Sequence, residues 1–120
     1  MAMAQVACFI AQQIYAGWAL FGIVLFGVLA ANLAHAIMRR LGRSFGYALA
    51  SFLLIAANLV IFFVWTFPTN QATNNWTVVP KNWNALRLQW EYSHTANAVV
   101  TFAALVCVVI AVLRQPSQAR

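Results

Sequence analysis

No charged side chain occurs before Arg39, between Arg43 and Lys81, or between Glu91 and Arg114. Three apolar runs fill those intervals, at about residues 14–38, 45–67 and 95–113. A helix needs about 20 such residues to cross the roughly 30 Å hydrocarbon core of a bilayer. Hydrophobic residues make up 64% of the 120-residue chain and charged residues 7%, against about a quarter charged in soluble domains. That leaves too little polar surface to cover a globule in water. The expected fold is all-α: one transmembrane helical bundle over residues 1–120, with three spans and an outer loop and helix extension at 68–94.

The breaks between the runs have their own chemistry. "RRLGRS" follows the first run and supplies Gly42 for a turn. The second run should stop at Pro68, and the Asn-, Thr- and Pro-rich stretch 68–81 reads as a loop. A third helix should begin near Asn82, a good N-cap, and continue to about Leu113, before Pro116. At about 1.5 Å per residue it would be about 48 Å long, so its first three turns should project beyond the hydrocarbon. Gly17, Gly22 and Gly27 recur every five residues, which is not the GxxxG spacing. They suit either a close helix approach or an ordinary membrane helix.

The net charge of +6 is distributed by loop. Arg39, Arg40 and Arg43 lie between two runs and Arg114 and Arg120 after the last, leaving only Lys81 and Arg87 elsewhere. No basic patch interleaved with aromatic stackers exists, which excludes nucleic acid as a partner. The pattern instead orients the chain: the 39–43 loop and the tail cytoplasmic, the N-terminus and 68–94 outside, in a bacterial inner membrane. The excess charge should meet anionic headgroups. Cys8 and Cys107 fall at different depths and form no CxxC, so both read as small buried apolar residues. Neither a positively charged leader nor a lipoprotein box is visible.

The polar chemistry gathers in "NWNALRLQWEYSH", residues 82–94, which holds the only acidic residue, one of two histidines and two of five tryptophans. On a helix Trp83, Arg87, Trp90, His94 and Asn97 form one stripe, spaced four, three, four and three. Glu91 is in reach of either Arg87 or His94. Beside His94 it would hold the imidazole in one tautomer and raise its basicity; beside Arg87 it is an ordinary surface pair worth a few tenths of a kcal/mol. Arg87 suits an anionic or phenolate oxygen. Trp76 and Trp83 read equally as an interfacial belt or as a ligand wall, and Trp90 leans to packing. His35 and His94 sit near opposite faces, and one carboxylate beside His94 is far short of a ligand set, so neither metal nor cofactor is expected. Asn32 and His35, one turn apart, should bond to each other or to headgroups, and Asn58 needs a partner within the membrane. "NWT" at 75–77 matches a glycosylation sequon, a weak signal without meaning in a bacterial host.

The run from Pro68 through Asn70 and Trp76 to Trp83-x-x-x-Arg87-x-x-Trp90-x-x-x-His94 resembles the C-terminal half of a family of small membrane proteins named after anthrone oxygenase. "QQIYAGWALFG" upstream is similar to an internal helix start in bacterial members, and the resemblance covers about residues 12–113. Members usually have four spans, and this chain begins where their second would start. That departure reads as a three-helix variant, a start placed inside a longer gene, or a helix supplied by another protein. Some fungal members oxidise anthrones without a known organic cofactor or metal, while most have no assigned reaction; the resemblance thus implies a protein that binds or oxidises a small aromatic or phenolic molecule at the outer membrane face. His94, Glu91 and Arg87 would be catalytic, with a base removing an acidic C–H proton. Asn70, Trp76, Trp83, Trp90 and Asn97 would bind the ligand. Expected partners are the bilayer, a small aromatic molecule, and other membrane subunits or further copies of the chain. The alternative function is an accessory subunit of a larger membrane complex.

Overall fold

A computed structural model describes residues 2–15 and 17–114; Pro116 and Arg120 lie outside the described residues. Among these residues there are four helices and no strand: α1 (Ala2–Tyr15), α2 (Trp18–Met38), α3 (Phe45–Ala72) and α4 (Trp83–Leu113). The all-α expectation holds, and α2, α3 and α4 are long and apolar enough to cross a membrane. The molecule is a rod of 66 × 22 × 19 Å, with α3 packed against both α2 and α4. At 28 and 31 residues, α3 and α4 are about 42 and 46 Å long, and both outrun a hydrocarbon core of about 30 Å.

Packing is inverted relative to a soluble bundle. Leu20, Ile23, Val64, Val99 and Phe102 are each 64% or more exposed, while Ser51, Thr66, Thr69, Thr73 and Ser93 are at most 1% exposed. Small polar side chains fill the seams and hydrogen-bond across them. Ser51 donates to Asn32 Oδ1 (2.7 Å), Asn58 Nδ2 to Thr101 Oγ1 (2.9 Å), and Thr66 to Ser93 Oγ (2.9 Å). Asn58 thus has a partner for its Nδ2 donor, while its buried Oδ1 has none among the described residues. Asn32 does not bond to His35: its Oδ1 accepts from Ser51 across the α2–α3 seam and its Nδ2 donates to the Val28 carbonyl (2.9 Å). Small residues let backbones approach closely, and polar pairs substitute for the hydrophobic drive that lipid cannot provide. The apolar exterior suits a lipid surrounding.

Three boundaries differ from expectation. The first apolar run does not start a helix at residue 14. Residues 2–15 contain neither Gly nor Pro and form α1, which gives way at Gly17 before α2 begins. Pro68 does not stop the second helix. Residues 62–66 widen into a π turn, in which the Phe67 N–H bonds the Phe62 carbonyl five residues back, and the helix then continues to Ala72. Proline lacks a donor and crowds the carbonyl four residues earlier; widening the preceding turn relieves that conflict. Asn82 occupies the N-cap of α4 as expected, but its side chain makes no capping bond. The glycines of α2 admit no neighbour: a Cβ at Gly22 or Gly27 would meet nothing within 4 Å.

Candidate ligand site at the head of α4

The chain between α3 and α4 turns back on itself in a strained loop. Asn74, Asn75 and Trp76 have φ of 46°, 56° and 66°. Asparagine tolerates that left-handed region, whereas Trp76 costs about 1–2 kcal/mol there. Burial of an indole, about 200 Å² at about 25 cal/mol per Å², offsets this with about 5 kcal/mol. Trp76 is 1% exposed, and its Nε1–H donates to Asn70 Oδ1 at 3.1 Å. The Thr73 hydroxyl accepts the Trp76 N–H (3.2 Å) and donates to the Thr69 carbonyl (2.9 Å), while the Asn75 N–H reaches the Asn70 carbonyl (2.7 Å). Trp76 is therefore a core residue, packed on Cys8 and Ala11 of α1, and belongs to neither an interfacial belt nor a ligand wall. Asn70, 3% exposed, orients it.

From Trp76 an aromatic series runs down the expected stripe. Its ring meets Trp90 edge-on (centroids 5.6 Å apart, 69° between planes). Trp90 meets His94 in the same way (4.3 Å, 71°), and His94 lies 4.7 Å from Trp18 of α2. The imidazole is thus held between two indoles from different helices. Glu91 pairs with Arg87 (Nε to Oε1, 3.2 Å) and makes no ion pair with His94. Residues four apart lie nearly above one another, which favours Arg87 over His94 three residues on. The Arg87 Nε–H is not aimed at the carboxylate, so the contact is Coulombic rather than a hydrogen bond. Both side chains are nearly half exposed, 41% and 49%, and such a pair contributes at most about 1 kcal/mol. On the other side of Arg87, the Trp83 ring lies 6.0 Å from the guanidinium carbon.

Between α1 and this part of α4 lies a cleft of about 540 Å³. Met3, Val6, Ile10 and Ile14 form its apolar side, and Arg87, Trp90 and Glu91 form the other. The cleft therefore takes in three of the eight residues singled out from the sequence. Asn70 and Trp76 stand behind Trp90 in the core. His94, Trp83 and Asn97 are outside the lining. Three buried polar atoms on the stripe lack hydrogen-bond partners among the described residues: Arg87 Nε, Trp90 Nε1 and Asn97 Oδ1.

Sequence reasoning missed the α1 side and Trp18. The first carried a signal: Ala4, Cys8 and Ala11, spaced four and three, form the buried face of α1. Trp18 carried none, since an aromatic at the start of a span is read by default as an interface anchor. Cys8 is buried beside Trp76, and both cysteines are free thiols.

No family model matches this chain, and no curated protein or solved structure matches it significantly.

Proposed function

We propose that this chain is a multi-pass membrane protein, akin to the anthrone oxygenase-like family, that holds a small aromatic or phenolic molecule between α1 and the head of α4. The cleft carries the reading: its volume of about 540 Å³ falls within the range of about 300–1,000 Å³ usual for small-molecule sites. Arg87 and Glu91 neutralise each other and the facing wall is aliphatic, which favours a neutral planar molecule over a strong anion. Trp90 lines the cleft and supplies a ring to stack on. Binding is favoured over oxidation, because the imidazole that would act as base is packed between Trp18 and Trp90 and does not line the cleft.

A second reading, an accessory subunit, draws on α1. This 14-residue helix is too short to cross a bilayer, yet Met3, Val6 and Phe9 are 81%, 57% and 61% exposed. Native mass spectrometry of the chain extracted in mild detergent separates the two. A chain mass carrying a small molecule supports the ligand site, and bound polypeptides favour the subunit.

The proposed setting is a bacterial cytoplasmic membrane with Arg39, Arg40, Arg43 and Arg114 inside, following the excess of basic residues at that end. A membrane-impermeant thiol reagent applied to intact cells should label a Lys81→Cys variant and spare Arg43→Cys. The reverse pattern would invert the orientation.

A further inference from the structure

The end of the bundle opposite the cleft carries charge that no acidic side chain there answers. The chain's only acidic side chain, Glu91, is engaged with Arg87 at the far end. At the near end, α2 closes with Arg39 and leads through Arg40 and Arg43 into α3, while α4 delivers Arg114. These segments converge: Ala36, Ala48 and Ala111 form one buried cluster with Tyr47 packed on it. The Arg114 guanidinium lies over the Tyr47 ring, 4.9 Å from its centroid. Inside the same end, Arg39 Nε and His35 Nε2 are buried without a hydrogen-bond partner among the described residues.

Part of this arrangement needs no ligand. Arg39 and Arg114 each follow the last turn of a helix, where a cation complements the helix dipole. The dipole, however, offers only a fraction of a charge, and four guanidiniums share this end. Planar guanidinium forks match phosphate oxygens bidentately. Moreover, α2 and α4 finish together here, at the level where apolar helix gives way to polar turn.

We propose that Arg39 and Arg114, with His35 and Tyr47 beside them, form a binding site for a phosphate-bearing anion, namely the headgroup phosphate of an anionic phospholipid. Arg114 is held for the task by the Tyr47 ring, and Arg39 by its half-buried position at the C-cap of α2. Arg40 and Arg43, both exposed, add long-range attraction. The site is independent of the cleft and stands whether or not the cleft binds a ligand.

The test uses the full chain in nonionic detergent, titrated with phosphatidylglycerol, phosphatidylcholine or inorganic phosphate and read by native mass spectrometry. One phosphatidylglycerol should be retained, with phosphatidylcholine bound much more weakly and inorganic phosphate neither retained nor competing. A basic residue near an anionic lipid surface is worth about 1 kcal/mol, so Arg39→Gln and Arg114→Gln should each weaken retention about fivefold. Lys81→Gln removes the same charge at the opposite end and should leave retention unchanged. Equal weakening by Lys81→Gln would reduce the effect to net charge and overturn the site. Equal binding of phosphatidylcholine, or no retained lipid, would overturn it too. Retention of inorganic phosphate in place of lipid would replace the headgroup with a free anion.

Discussion

Trp76 shows how one residue in the described structure reconciles strain with burial. Its left-handed backbone is unfavourable for a tryptophan, and the indole that Asn70 orients fills the space between Cys8, Ala11 and Trp90. Trp76→Phe keeps most of the ring but leaves the buried Asn70 Oδ1 without its donor, which should cost about 1–3 kcal/mol. Trp76→Ala should cost about 3–5 kcal/mol. Denaturant unfolding in detergent, followed by tryptophan emission, reads both; a Trp76→Phe variant as stable as the wild type would remove the hydrogen bond from the explanation. The residues Asn70, Trp76, Trp83, Arg87, Trp90 and His94 were legible in the sequence as a group, but the role of each was not. Spacing along α4 placed Trp90 and His94 together, because helical periodicity is local. The Asn70–Trp76 bond depends instead on three consecutive left-handed residues, and six positions of sequence separation say nothing about such a turn.

At the scale of the element, α3 holds the least legible feature. Buried positions from its N-cap onward, Ser44, Ala48, Ser51, Ile55 and Asn58, recur at four and three. The next buried position is Thr66, eight residues after Asn58 rather than seven, and Thr73 follows Thr66 by seven. The π turn at 62–66 inserts that extra residue. Without it, the face carrying Thr66 and Thr73 would rotate away from Ser93. Pro68 suggested a helix end because a proline ordinarily breaks the hydrogen-bond ladder; the compensating turn lies in the backbone and leaves no mark in the apolar residues Phe62, Phe63 and Val64. The Thr66 and Ser93 oxygens are 2.9 Å apart, so a Thr66→Cys/Ser93→Cys pair should close a disulfide on oxidation. Deleting Val64 from that pair removes the inserted residue and should abolish closure. A non-reducing gel reports both, and undiminished crosslinking in the deletion variant would contradict the register argument.

At the scale of the whole molecule, three apolar helices and their count follow from composition alone, since charge-free intervals of that length leave few alternatives. The position of α1 does not, because a helix beginning before the first apolar run has no boundary in hydropathy. That helix matters most for the proposed function, as it supplies one wall of the cleft. The molecule is thus polarised. A basic end lies opposite an aromatic head that carries the Arg87–Glu91 pair. The most direct test of the head as a ligand site is a native mass spectrum of the wild-type chain and of Trp90→Ala, each extracted in mild detergent from its own host and sprayed with and without added anthrone. The wild type should carry a small-molecule adduct, native or anthrone, and Trp90→Ala should lose at least 90% of it while remaining folded, a tenfold change that corresponds to about 1.4 kcal/mol. A bare wild-type chain that ignores added anthrone, or an adduct that persists unchanged in Trp90→Ala, would contradict the cleft as the binding site.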